Sequence, residues 1–165
     1  MIEVKKILTE SPEFQQIEKE LFFKGEEAAD LIETFCHSKG ISIYAAMDGE
    51  TVAGFCVTSP STSDVMHLLF IGVHRDYRKS GVASKLLDDS IADQGPKAVV
   101  AEVPHYTLPF FTNYGFYAVE FGEDLYGKNV YYATYRVKKK EKKAPVSGSL
   151  FCCKRKAALS SGFFF

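Results

Sequence analysis

The sequence predicts an α+β domain built on one mixed, mostly antiparallel β-sheet that is flanked by helices. Two apolar segments flank Asp48-Gly49, and such a dipeptide between two β-type segments is the strongest short-range signal for a hairpin. Residues 64–74, DVMHLLFIGVH, form a nearly continuous apolar run, which is typical of a central strand buried on both faces. Helical patterns separate the other strands, so the predicted order is β-α-α-β-β-β-α-β-α-β.

The first forty residues carry one strand and two helices. Residues 2–7, IEVKKI, alternate apolar and charged side chains, which predicts a strand. In residues 11–23, Ser11 is placed as an N-cap and Pro12 at the first helical position, with apolar residues along one face. Residues 26–40 predict a second helix, because acids fill its first turn and a glycine ends it.

The remaining elements follow from the same patterns. Residues 41–47 and 50–59 are the two strands of the hairpin, and the buried run comes next. Apolar residues at helical spacing predict a helix that starts at Gly81 and is stopped by Gly95. A strand over 97–103, a short helix over 107–115 and a strand of alternating aromatics over 130–137 complete the fold.

A change of composition after Val137 separates a folded body from a tail. We predict one domain over residues 1–137 and a disordered, basic tail over residues 138–165. The tail holds eight Lys/Arg and one acid, a net +7, which leaves twelve basic and twenty acidic residues, a net −8, in the body. An acidic body disfavours nucleic acid and suits a cationic substrate, although solubility alone would also explain it.

The cysteines and apolar runs point to a cytoplasmic protein, with a nuclear location as the alternative. The four cysteines show no metal-ligand spacing and no disulfide framework, so no metal site is predicted. No apolar run is long enough to cross a bilayer. Membrane association is expected only if Cys152 and Cys153 in the tail are palmitoylated. A monomer or a homodimer is expected.

The stretch from Arg78 to Ala83 has the chemistry of an anion site. It lies where the buried strand feeds a helix, and the first amides of a helix lack intrahelical partners beside the positive end of the dipole. Gly81 allows close backbone approach, and Arg78 and Lys79 add positive charge, which suits a pyrophosphate. The plainer reading is a glycine required by the turn and basic residues in solvent. The segment does not match a Walker A loop.

These residues resemble the GNAT superfamily of acyl-CoA-dependent N-acyltransferases. The family hallmark, Arg/Gln-x-x-Gly-x-Gly/Ala at a strand-helix junction, is matched by residues 78–83, RKSGVA. The preceding LLFIGVHRDYR is similar to the family's central strand, and FFTNYGFYAV to its aromatic-x-x-x-Gly-Phe segment. The resemblance covers roughly residues 2–137, while the tail lies outside it.

The resemblance implies acetyl-CoA as co-substrate, held in a V-shaped gap between the central strand and the strand at 97–103. Backbone groups of Ile71, Gly72 and Val73 would pair with the pantetheine arm like an added strand. The amides of Arg78, Lys79, Ser80, Gly81, Val82 and Ala83 would hold the pyrophosphate. The implied reaction is direct transfer of an acetyl group to a primary amine in a ternary complex. The acceptor would be a small amine, a polyamine, or a protein lysine or N-terminus.

The catalytic groups are less well marked by the sequence. His67, eleven residues before Arg78, occupies the position where some lysine acetyltransferases of the superfamily have a glutamate, and an imidazole can accept a proton near neutral pH. Glu102 is the second candidate base. The alternatives are a histidine at the start of a strand with its hydrogen bonds satisfied for His67, and a solvent-facing glutamate for Glu102.

The superfamily's usual acid is a tyrosine four residues before the glycine of the Gly-Phe pair, and that position holds Phe111. Tyr114 and Tyr106 are nearby, but neither matches that position, and Tyr114 is kept as the candidate acid. Two other readings therefore stay open beside an active acetyltransferase. One is a regulatory module of the same fold that binds acyl-CoA with impaired catalysis, and the other is an unrelated interaction domain.

Overall fold

A computed structural model describes residues 1–20, 39–59, 64–124 and 126–138. The described strands are β1 (Ile2–Ile7), β2 (Ser42–Asp48), β3 (Thr51–Ser59), β4 (Val65–Val73), β5 (Ala98–Pro104), β6 (Tyr117–Glu123) and β7 (Asn129–Arg136). The described helices are α1 (Pro12–Glu20), α2 (Val82–Gln94) and α3 (Leu108–Tyr114). Two 3-10 turns precede α2 and α3, over Arg75–Tyr77 and His105–Thr107 respectively. Most of the predicted second helix and nearly all of the tail lie outside the described residues.

The strands form one seven-stranded sheet in the order β1-β2-β3-β4-β5-β7-β6. Neighbouring strands are antiparallel except for β4 and β5, which are parallel. The mixed, mostly antiparallel α+β fold class is therefore confirmed. One strand was missed, because the sequence predicted six strands and the described part of the chain has seven. The additional strand, β6, is an edge strand of the described sheet, and its alternating apolar residues Tyr117, Val119 and Phe121 are exposed rather than buried.

The parallel pair β4 and β5 stays together for only part of its length. Pairing runs from Val65 beside Ala98 to Leu68 beside Ala101 and then ceases. Beyond that point β4 pairs only with β3 and β5 only with β7, up to the carboxyl ends of both strands. The sheet therefore splits in its centre, and the gap widens from Leu68 and Ala101 towards the loops that follow.

A β-bulge in β4 lies at the start of this split. The register against β3 shifts so that one extra residue, Leu69, is inserted in β4. Leu69 and Phe70 both pack with the hydrophobic cluster on the α1 side of the sheet. Leu68 before the bulge, and Ile71 and Val73 after it, pack with the cluster on the α2 side. The bulge therefore turns Ile71 and Val73 towards the side of the sheet that carries α2.

Two hydrophobic clusters hold helices on opposite faces of the sheet. Phe14 and Ile17 of α1 are buried on one face, and Leu86 and Leu87 of α2 on the other. Full burial of such side chains contributes about 1.5–3 kcal/mol each. The Ser11 hydroxyl accepts a hydrogen bond from the Phe14 amide at 3.3 Å, which is the N-cap that the sequence predicts.

A buried polar network fixes the C-terminal end of α2. The amide of Gln94 donates to Thr58 Oγ1 at 2.6 Å and to the Tyr44 hydroxyl at 3.0 Å. The Tyr44 hydroxyl in turn donates to Asp93 at 2.7 Å. Burial, and then this bond to Asp93, raise the pKa of Tyr44 to about 12. Because the C-terminal end is tied to β2 and β3, the N-terminal end of α2 has a fixed position relative to β4.

Candidate active site

The loop between β4 and α2 has a backbone that leaves the N-terminus of α2 open. Lys79 has a φ of +62° and Gly81 a φ of +85°, so two left-handed residues alternate with Ser80. Such an alternation turns successive amides towards one side, which is the geometry of an anion-binding nest. Gly81 is the N-cap of α2, and no side chain caps this end of the helix. The first amides of α2 therefore remain available to a ligand.

The position of Gly81 shows why the loop needs a glycine. A φ of +85° is strained for a residue with a side chain, and no atom lies within 4 Å of the place where a Cβ would stand. The space is open towards the outside of the loop, so the backbone can be approached closely. The guanidinium of Arg78 folds back and donates from Nε to the carbonyl of Val73 at 3.4 Å, while Lys79 is exposed. The charges expected from the sequence therefore lie beside the open helix end.

A cavity of about 580 Å³ lies against this loop and the split edge of β4. Seven of the nine residues that the sequence assigned to the co-substrate line it: Ile71, Val73, Arg78, Lys79, Gly81, Val82 and Ala83. The two exceptions have structural reasons. Gly72 faces the other way, where a Cβ would stand 2.7 Å from the ring of Phe55. The hydroxyl of Ser80 donates to the carbonyl of Tyr77.

The opposite wall of the cavity was predicted only at Phe111, the position of the superfamily's usual acid. It is formed by residues that follow β5: Tyr106, Thr107, Phe110 and Phe111. Tyr77 and Ser84 also line the cavity on the loop side. The position of Tyr106 and Thr107 after β5 could have identified them, because ligands of sheets with parallel strands bind beyond the carboxyl ends of those strands. The cavity is thus bounded by the two strand ends that diverge at the split.

The comparison with protein families decides what this arrangement is. The model of the acetyltransferase (GNAT) family matches residues 10–116, which include the split strands, the loop and both helices that bound the cavity. The chain belongs to the GNAT acetyltransferase family. The resemblance drawn from the sequence is therefore confirmed. No curated protein sequence gives a significant match.

Solved structures of GNAT proteins share the fold at low sequence identity. A GNAT acetyltransferase structure from Desulfovibrio desulfuricans is 21% identical, with 82% of this chain and 99% of that chain covered and a TM-score of 0.65. A GNAT acetyltransferase from Elizabethkingia anophelis, solved with acetyl-CoA bound, is 15% identical, with 82% and 98% covered and a TM-score of 0.67. A Bacillus subtilis acetyltransferase in complex with CoA is 13% identical, with 84% and 100% covered and a TM-score of 0.67.

Phe111 lies on the cavity side of α3 in this GNAT fold. Its ring is only 4% exposed and makes edge-to-face contacts with Phe110 and Phe116, at centroid distances of 5.2 Å and 5.1 Å. It lines the cavity, so the position of the superfamily's usual acid faces the expected co-substrate and carries no hydroxyl. Thr107, one turn earlier, also lines the cavity, but its hydroxyl donates to the carbonyl of Pro104 at 3.1 Å.

Tyr114 has a different environment from the one that an acid catalyst requires. It does not line the cavity, and its hydroxyl donates to Asp88 Oδ1 at 2.6 Å. Burial, followed by this hydrogen bond to Asp88, raises the pKa of Tyr114. Asp88 belongs to α2 and Tyr114 to α3, so the bond joins the two helices that bound the cavity. This placement favours a structural clamp over the catalytic role considered for Tyr114 from the sequence.

His67 and Glu102 lie on the other face of the sheet from the cavity. Their neighbours along each strand, Leu68 and Ala101, pack on the α2 side, so alternation turns His67 and Glu102 to the α1 side. Both residues are exposed, and neither lines the cavity. They flank the point of divergence, because His67 precedes the last paired residue of β4 and Glu102 follows the last paired residue of β5. The described residues include no group of three or more His, Cys, Asp or Glu that could hold a metal ion.

Proposed function

We propose that this GNAT protein transfers an acetyl group from acetyl-CoA to a primary amine by direct attack within a ternary complex. The observation that carries the proposal is the cavity between the diverging ends of β4 and β5, which opens onto the uncapped N-terminus of α2. Family membership supports the activity class. The GNAT structures solved with acetyl-CoA or CoA bound support the choice of donor.

The cavity has two features that suit an acyl-CoA. Beyond Leu68, the edge of β4 that faces β5 has no strand partner, so its amides and carbonyls, apart from the Val73 carbonyl that accepts from Arg78, are available to the amide groups of a pantetheine arm. At the outer end, the nest from Lys79 to Gly81 and the dipole of α2 offer donors and positive potential to a pyrophosphate. Ile71, Val73 and Phe111 supply apolar walls along the arm.

The acceptor amine would reach the thioester from the other face of the sheet. His67 and Glu102 flank the divergence point on that face, where either can accept a proton from the ammonium, directly or through water. The free amine then attacks the thioester carbonyl, the C–N bond forms, the C–S bond breaks, and the nitrogen gives up a second proton to solvent as it becomes an amide. The sulfur leaves as a thiolate and takes a proton from solvent. A thiol pKa of about 8.5 makes this departure possible without a phenol at the position of Phe111.

The acceptor is proposed to be a cationic amine, because the body of the chain carries a net charge of −8 over residues 1–137. The experiment measures free thiol released from acetyl-CoA with a panel of small amines, polyamines, and peptides with a lysine or a free N-terminus. Amine-dependent release with one class supports the proposal and names the acceptor. Heat of acetyl-CoA binding without release for any amine would instead support the regulatory module, for which Phe111 is the specific observation.

A further inference from the structure

The strands β4 and β5, which diverge at the split, have similar carboxyl ends. Each is followed by a 3-10 turn with a tyrosine that lines the cavity, Tyr77 after β4 and Tyr106 after β5. The two tyrosines differ in how they are held. The hydroxyl of Tyr77 donates to Asp48 at 3.3 Å, whereas no described residue forms a hydrogen bond with the hydroxyl of Tyr106. Tyr106 is 72% exposed, and no part of the mechanism above uses it.

The wall that contains Tyr106 runs from the inside of the cavity to its mouth. Phe111 is 4% exposed, Phe110 is half-buried one turn from Tyr106, and Tyr106 itself is largely in solvent. An acyl-CoA that places its thioester near the divergence point and its pyrophosphate at the Gly81 loop must extend its adenosine out of this mouth. Tyr106 follows the carboxyl end of β5 as the Gly81 loop follows the carboxyl end of β4, so its exposed ring and the proposed pyrophosphate site lie on the same side of the split. The ring of Phe111 is buried in the cavity wall.

We propose that Tyr106 forms an aromatic subsite for the adenine ring of the acyl-CoA at the mouth of the cavity. This inference rests on the proposed function in that it takes an acyl-CoA as the ligand. An exposed phenol ring offers a flat apolar face at small cost in side-chain entropy, and a purine base stacks on such a face. The subsite would let the enzyme distinguish acyl-CoA from an acyl-phosphopantetheine carried by another protein, since only the former has an adenine.

The test compares two donors on the full chain by calorimetry: acetyl-CoA, and S-acetyl-4′-phosphopantetheine, which lacks the adenosine. In the Tyr106→Ala variant we expect the affinity for acetyl-CoA to fall about 5-fold to 150-fold, the range of a base-aromatic stack. The affinity for the fragment should not change. The matched control is Tyr117→Ala, because Tyr117 is 75% exposed and lies on β6, away from the cavity. It should bind both donors like the parent.

Tyr106→Phe separates stacking from a role of the hydroxyl. The phenylalanine keeps the ring, so the affinity for acetyl-CoA should be retained. A loss of affinity in Tyr106→Phe as large as that in Tyr106→Ala would mean that the hydroxyl and not the ring holds the donor, and the stacking proposal would be wrong. Equal weakening of both donors in Tyr106→Ala, or no weakening of acetyl-CoA, would also overturn it. These are binding measurements, so they give an answer even if no amine is acetylated and the proposed transfer reaction fails.

Discussion

Substitution of Gly81 gives the sharpest test of the donor site, because the same helix provides a matched control. Gly81 begins α2 with a φ of +85°, and Gly95 ends it with a φ of +63°. At both positions no atom lies within 4 Å of an added Cβ. An alanine at either position therefore causes backbone strain without a clash, and should lower the free energy of unfolding by about 1–2 kcal/mol. Only one of the two positions faces the cavity.

The two positions should differ strongly in their effect on acetyl-CoA. A glutamate at 81 would place a negative charge beside the proposed pyrophosphate, and two like charges about 4 Å apart repel by about 4 kcal/mol at a surface-like dielectric. That corresponds to a loss of affinity of about 10³-fold. A glutamate at 95 stands beyond the other end of a 13-residue helix, about 20 Å away. This distance exceeds the Debye length of about 8 Å at physiological salt, so its effect on binding should be negligible.

Calorimetry with acetyl-CoA on Gly81→Glu, Gly81→Ala and the same two substitutions at Gly95 measures the effect on affinity. Thermal unfolding without ligand measures the strain, which should be similar at both positions. We expect both Gly95 variants to bind like the parent and both Gly81 variants to bind more weakly, with the glutamate much the weaker. Parent-like affinity in Gly81→Glu would refute the assignment of the pyrophosphate to this loop. Equal weakening at both positions would show that only helix stability had been measured.

Four further results are expected. Phe111→Tyr should raise the rate of the chemical step in single-turnover measurements, by less than the roughly 10²–10⁴-fold typical of general acids because the thiolate already leaves readily. Tyr114→Phe should leave that rate unchanged and lower the free energy of unfolding by about 1 kcal/mol. A collapse of the rate in Tyr114→Phe would mean that Tyr114, and not position 111, supplies the acid. Truncation after Val137 should preserve steady-state turnover, and a large loss would place the tail within the fold. The pKa of Tyr44 is raised from 10.0 to about 12, so the protonated phenol stabilises the fold below pH 10 and this contribution is lost as the pH rises through 12. Tyr44→Phe should therefore make the melting temperature fall less steeply between about pH 10 and pH 12.

Local chemistry accounts for the part of the fold that the sequence predicted well. The turn at Asp48-Gly49, the cap at Ser11 and the buried run of β4 each depend on a few adjacent residues, and each is found in the structure. The strand β6 does carry a period-two signal, because Tyr117, Val119 and Phe121 are separated by single residues, but no strand was predicted there. In the structure these three side chains are exposed, so pairing with β7 rather than burial holds the strand.

The donor site was predicted in part for a similar reason. The loop residues from Arg78 to Ala83 are contiguous, so a motif can identify them. The opposite wall with Tyr106 and Phe110 reaches the cavity only because β5 pairs with β4 for four residues and then diverges. That divergence depends on the register of a parallel pair whose strands are far apart in the sequence, which no local pattern encodes.

The bulge in β4 determines where the candidate base lies. His67 and Ile71 are four residues apart, so strict alternation would place both side chains on the same face of the sheet. The extra residue at Leu69 breaks that alternation, and His67 lies on the α1 side while Ile71 faces the cavity on the α2 side. Spacing along the chain therefore identified His67 as a candidate base but did not indicate the face of the sheet on which its side chain lies. The same bulge gives the proposed ternary mechanism its geometry, because an amine that entered beside His67 and Glu102 would meet the thioester through the split without crossing the pantetheine arm. Donor and acceptor can then be bound at the same time, as direct attack requires.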